Sequence, residues 1–154
     1  MFPRELEETE PVVIRQPGMF SDTLFDVGVI DRRFFAELRD SKKIMGIRCP
    51  TCNRVYVPPR ISCKKCFSEL KEWVEVSDKG TLLTYTIVYE PGFHQPMEPP
   101  YAIGIILLDG ADTGLVHCLG EVAPEQLRIG MRVQAVFKEE REGNILDIKY
   151  FKPL

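Results

Sequence analysis

The fold turns on one stretch of the chain, Cys49-Pro-Thr-Cys52 followed by Cys63-Lys-Lys-Cys66, two C-x-x-C pairs separated by ten residues. A two-residue spacer lets both sulfurs of a pair point into one tight turn, and two such turns close a tetrathiolate shell around a single ion. Zinc is the expected ion, with iron in the same thiolate site as the alternative. A closed shell of four thiolates leaves no position for water or substrate, so the metal is expected to hold structure rather than perform chemistry. Disulfides belong to secreted chains, and the N-terminus, Met1-Phe-Pro-Arg-Glu-Leu-Glu-Glu8, is acidic where a signal peptide is basic. The expected setting is therefore cytoplasmic, with reduced thiols. A single redox C-x-x-C would not account for two pairs.

Outward from the cysteines, Ile44 to Pro59 reads as a hairpin around the first pair, with Met45, Ile47, Val55 and Val57 near its strands. Pro58-Pro59 ends it by removing backbone donors. Beyond Lys71 the pattern changes to short β-branched and aromatic runs: 73–76, 81–89, 101–108, 114–119, 131–137 and 145–150. Turn signals at Asp78-Lys-Gly80, Asp109-Gly110, Gly130 and Glu142-Gly-Asn144 separate them. Five or six short strands without long helices predict a five-stranded OB-type Greek-key barrel. The connection from Glu90 to Pro100 carries four prolines, a stiffness that suits either a binding loop or a rigid crossover.

Upstream, residues 31–43 are predicted helical, with Asp31 as cap and Phe34, Phe35 and Leu38 on one face. That face packs either on its own domain or in a groove of a partner. The expected organisation is mainly β: residues 1–30 an extended acidic tail, 31–70 a helix plus rubredoxin-like zinc ribbon, and 71–154 the OB-fold.

Charge is unevenly placed in this chain of 154 residues. The net charge is −3, yet residues 41–71 hold eight lysines and arginines against Glu69 alone, a local +7. The remaining residues therefore carry −10. The basic ribbon can meet phosphates or an acidic protein surface, or simply offset the thiolate cluster. No apolar run approaches the roughly 20 residues that a membrane-spanning helix needs.

An independent catalyst needs a nucleophile and an acid–base group in reach of each other. Only two histidines exist, His94 and His117. His117 adjoins Cys118, but neighbours on a strand point to opposite faces, which argues against a dyad. Cys118 reads as a small buried hydrophobe. His94, in the proline-rich loop, is a candidate for touching a ligand or partner. No glycine-rich phosphate loop is present.

The order of these features (Phe34-Phe35, the Cys49/Cys52 pair, Pro58-Pro-Arg60, the Cys63/Cys66 pair, Trp73, Gly80-Thr-Leu-Leu-Thr-Tyr-Thr-Ile-Val88, Pro100-Tyr101) resembles the zinc-ribbon plus OB-fold proteins once grouped as a domain of unknown function. The resemblance covers about residues 31–151. It implies zinc at Cys49, Cys52, Cys63 and Cys66 and a non-catalytic subunit accompanying a thiolase-like enzyme of acyl-CoA metabolism, whose CoA channel it shapes or shares. It further implies a partner-facing helix, which makes Phe34, Phe35 and Leu38 docking candidates beside His94 of the proline-rich loop. Arg60, Lys64 and Lys65 are candidates to meet the CoA phosphates. Nucleic-acid binding is the alternative, since OB barrels and zinc ribbons both serve it. The acidic remainder of the chain opposes that reading.

Overall fold

The computed structural model describes residues 13–17, 22–92 and 95–154. Where the sequence suggests an extended tail, Val13–Pro17 (β1) and Asp22–Asp26 (β2) pair as an antiparallel hairpin. The helix α1 spans Gly28–Ser41, starting three residues earlier than expected. Asp31 does not cap it. Asp26 does that work instead: one carboxylate oxygen accepts from Gly28 N at 2.9 Å, and the other takes the Arg32 guanidinium at 2.7 Å. A carboxylate at this end also faces the positive pole of the helix. At the other end Lys42 turns left-handed and Lys43 N donates to Glu37 O at 3.2 Å, which stops the helix.

Ile44–Arg48 (β3) is the centre of a three-stranded sheet, flanked by Val55–Tyr56 (β4) and Glu72–Val76 (β5). The run at 73–76 thus pairs with the ribbon rather than with the barrel that follows it. The barrel consists of Lys79–Val88 (β6), Tyr101–Leu108 (β7), Leu115–Leu119 (β8), Arg132–Phe137 (β9) and Ile148–Pro153 (β10). Its ring order is β6-β7-β8-β10-β9, closed by β9 against β6, with β8 and β10 parallel and every other pair antiparallel. Closure leaves none of the five strands with an open edge. At Gly80 a β-carbon would lie 2.5 Å from Leu107 O, so the β6–β7 approach requires glycine.

The expected strand at 145–150 begins late. Residues Ile145–Asp147 form a 3-10 turn, because the buried Asp147 carboxylate gathers the amides of Glu142, Gly143 and Asn144 at 2.9, 2.8 and 3.2 Å. Asn144 accepts from Leu146 N at 2.8 Å and caps the turn.

One apolar cluster runs from the helix into the barrel. Phe34 and Leu38 of α1 and Ile44, Val55, Val57 and Val76 of the ribbon sheet join Leu82, Ile106, Leu115, Val133 and Phe151 of the barrel. Four hydrogen bonds fasten the ribbon to the turn after β7. Asp112 takes Val55 N on its carboxylate and returns its own amide to Val55 O, both at 2.8 Å. Thr113 Oγ1 accepts from Val57 N at 2.8 Å and donates to Val57 O at 2.9 Å. Among the described residues no helix is long and apolar enough to cross a membrane.

Candidate metal centre and the surface around it

The four cysteines come together as their spacing predicts. Their sulfurs all lie within 4.8 Å of one another. Cys49 Sγ stands 3.4 Å from Cys66 Sγ, and Cys52 Sγ 3.5 Å from Cys63 Sγ. Zn–S bonds of about 2.3 Å in a tetrahedron place neighbouring sulfurs roughly 3.8 Å apart, so the donor set fits a tetrathiolate zinc ion. Cys49 and Cys63 are buried; Cys52 and Cys66 are half-buried.

Both turns are built alike. In the first, Cys49 N donates to Arg54 O at 2.8 Å and Asn53 N returns to Cys49 O at 3.0 Å. In the second, Cys63 N donates to Ser68 O and Phe67 N returns to Cys63 O, each at 2.9 Å. Amides also point at sulfur: Cys52 N lies 3.4 Å from Cys49 Sγ, and Lys65 N lies 3.4 Å from Cys63 Sγ. Such N–H groups favour the anionic sulfur that zinc requires.

The buried Tyr56 hydroxyl completes the environment of Cys63. It accepts from Lys64 N at 3.2 Å, and its Oη is 3.2 Å from Cys63 Sγ. With its acceptor side engaged by an amide, its single proton is directed at the sulfur, and a metal-bound thiolate can only accept. That hydrogen bond is the first cause holding the Cys63 thiol down to about 5. Cys66 is lowered as well, chiefly by the Ser68 hydroxyl. Cys52 behaves oppositely. Although a hydrogen bond from the Arg54 amide favours its anion, burial and the neighbouring thiols push it up to about 11. Four crowded sulfurs cannot all be anionic by themselves, and a dication removes that conflict. The chemistry of such a closed set is structural.

The remaining sequence candidates separate into three groups. Phe34 and Leu38 are 1% and 0% exposed and pack into their own chain, which removes them as docking residues; Phe35 is half-buried against the same cluster. An amphipathic face shows that a helix packs, not on what. Arg60, Lys64 and Lys65 are exposed. Arg60 lines a cleft of about 400 Å³ between the start of α1 (Val27 to Asp31) and the segment from Pro59 to Ser62. Its guanidinium lies 5.5 Å from the Tyr56 ring centroid, a cation–π contact. Lys64 and Lys65 sit between the second pair of ligands and do not line that cleft. His94 lies outside the described residues.

His117 is committed to the fold. Buried inside the barrel, it accepts from Cys118 N on Nδ1 at 2.9 Å and donates from Nε2 to Ile145 O at 3.2 Å. Both ring nitrogens are engaged by backbone, so the ring is not oriented to serve the Cys118 thiol. Burial, joined by the charge of Lys138, lowers its proton affinity.

Sequence reasoning missed the cleft, which exists only because α1 starts at Gly28 and folds back beside Pro59. It also missed Tyr56, whose placement opposite Ile47 in the β3–β4 pair aims it at the metal. The signal for Tyr56 was an aromatic residue four positions after Cys52, amid a hairpin strand.

Comparison with known proteins divides the chain much as the geometry does. The rubredoxin-like zinc ribbon domain of ChsH2 matches residues 36–72, and the C-terminal OB-fold domain of ChsH2 matches residues 73–138. A DUF35 domain-containing scaffold protein of Methanocaldococcus jannaschii is 35% identical over 130 residues, spanning 79% of this chain and 89% of the relative. A scaffold protein of the same description from Pyrococcus furiosus is 29% identical over 126 residues, 79% of this chain and 91% of its own. Among solved structures, the Ltp2-ChsH2(DUF35) aldolase superposes with a TM-score of 0.60 at 26% identity, over 80% of this chain and 94% of that one. A DUF35-family protein of unknown function from Sulfolobus solfataricus gives 0.55 at 28% identity, over 68% and 75%.

Proposed function

Because the chain belongs to the DUF35 family of zinc-ribbon and OB-fold proteins, we propose that it is an accessory subunit of a thiolase-type acyl-CoA enzyme. The observation that carries this reading is the closed four-cysteine centre, coupled to a barrel whose histidine is engaged by backbone. Both are devices for holding a shape. The scaffold description of the relatives and the joint naming of Ltp2 with a ChsH2 chain support a subunit that works beside an enzyme. The thiolase-type identity of that enzyme comes from the sequence resemblance.

In this reading the catalytic subunit supplies the nucleophile and the acid–base groups. The present chain supplies rigidity and part of the CoA entrance, where Arg60 would offer charge-assisted contacts to phosphate. What supports Arg60 for this role is that it lines a cleft and is braced on the Tyr56 ring. Acyl-CoA is then a ligand of the complex, and zinc the ligand of this chain alone.

Co-expression with a thiolase-like protein encoded beside it tests the proposal. Size-exclusion chromatography should show one stable hetero-oligomer, and thiolase turnover should fall when this chain is withheld. Two components that elute separately, with turnover unchanged, would refute it.

A further inference from the structure

Asn53 and Phe67 occupy equivalent positions, each directly after the second cysteine of its pair and each donating its amide to the first cysteine's carbonyl. That bonding pattern turns the backbone left-handed at both, with φ of +57° at Asn53 and +60° at Phe67. Asparagine is among the residues that tolerate this region, whereas a bulky aromatic there is an outlier. Among the described residues the ring packs into no apolar cluster that would offset the strain. Phe67 is 83% exposed, more than any other large apolar residue described, and belongs to neither hydrophobic cluster.

Its surroundings are cationic. Lys64 and Lys65 precede it within the same turn, both exposed, and among the described residues no ion pair engages either of them. Glu69, the one acid within residues 41–71, is already bridged to Lys71 at 2.9 Å. Ile61, 59% exposed, rides on the neighbouring segment, where Ser62 bridges Glu69 and Leu70 N donates to Ile61 O at 2.8 Å. The zinc centre lies immediately beneath, so the ring is presented from a metal-stiffened turn.

We propose that Phe67 is an anchor by which this chain docks on its catalytic partner, entering an apolar socket rimmed by carboxylates that meet Lys64 and Lys65. The inference rests on the accessory-subunit reading. A rigid, exposed aromatic beside two lysines that no ion pair engages among the described residues has the composition of an interface hot spot, and it calls for a surface of opposite sign.

Glycine separates this role from a structural one, because it is at ease at φ near +60°. Phe67→Gly should leave the melting temperature of the zinc-loaded full chain unchanged or raise it, while weakening association with the thiolase-like partner at least 30-fold by titration calorimetry. Lys64→Glu combined with Lys65→Glu should weaken it further and invert its salt dependence, because salt then screens a repulsion instead of an attraction. Binding of Phe67→Gly within threefold of wild type would overturn the proposal. So would a clear fall in melting temperature, which would show the ring serving its own chain. CoA and a single-stranded oligonucleotide are run as probes in parallel; loss of either by Phe67→Gly with partner binding intact would reassign the ring to ligand stacking. If the wild-type chain binds no thiolase-like protein, the accessory-subunit reading fails first and the anchor with it.

Discussion

The ribbon and the barrel are held by different forces. On the metal side, among the described residues, only Ile47, Cys49, Tyr56, Cys63 and Leu70 form the buried cluster, and two of those five are ligands. The other cluster among the described residues holds seventeen buried residues, eleven of them in the barrel, whose strands each pair with two neighbours. The barrel carries its stability in buried apolar area, at about 25 cal/mol per Å². The two turns that hold the cysteines bury too little to do the same. They substitute metal–sulfur bonds for a core, as small modules must. The two halves are nevertheless joined, because β3, β4 and the residue after β4 send Ile44, Val55 and Val57 into the barrel's cluster.

Withdrawing the ion gives the largest effect and tests this division directly. Structural zinc contributes on the order of 10 kcal/mol or more to a ribbon. Chelation, or Cys63→Ser, should release the amides at 49–53 and 61–69 to solvent while the barrel strands keep their protection. Val55 and Val57 should lie between these limits, since Asp112 and Thr113 bind their backbone from the barrel side. Hydrogen exchange followed by mass spectrometry reads each segment. Turns that stay protected after metal analysis shows the ion gone would mean that the apolar cluster suffices.

A smaller effect is expected one layer out from the ion. Tyr56→Phe removes the proton directed at Cys63 and strands the Lys64 amide that the hydroxyl accepts. A hydrogen bond to a charged group is worth roughly 2 kcal/mol, which is about 30-fold in zinc affinity. Competition with a chromophoric chelator measures it. An affinity within twofold of wild type would show that the phenol does not stabilise the thiolate.

What could be read from the sequence follows the same divide. The metal ligands were legible because their geometry is local: four cysteines at fixed spacing define a tetrahedron with no knowledge of the rest. The barrel strands were legible from composition and turns. Partnership was not. Residues 73–76 announce a strand, yet their pairing with β3 depends on partners 26 to 32 residues away. The aromatic face of α1 announces burial, yet only the fold shows Phe34 and Leu38 against their own core. Asp147 looks like a solvent-exposed acid until three amides converge on it and delay β10. Phe67 carries no periodic signal at all. Its significance appears only beside Asn53, once both are seen to share one backbone conformation.

The barrel's counterpart to these tests is a titration, and it should be the mildest of the three. Burial holds His117 below its ordinary 6.5, assisted by Lys138. Below pH 6.5 the unfolded chain takes up a proton that the folded barrel refuses. Stability from this group is therefore full above 6.5 and falls as pH drops through the lowered folded value, by at most about 1.4 kcal/mol per pH unit. Urea unfolding at saturating zinc, followed by far-UV circular dichroism between pH 7.5 and 5, should show this slope in wild type. His117→Gln lacks the proton but keeps a donor for Ile145 O, so it should be flatter over the same range. Because the ring also packs edge-on against Phe151 at 5.6 Å, the variant will lose some stability at every pH. Only the difference in slope reports the titration. Parallel curves for the two proteins would place the barrel's acid sensitivity elsewhere and leave His117 as packing alone.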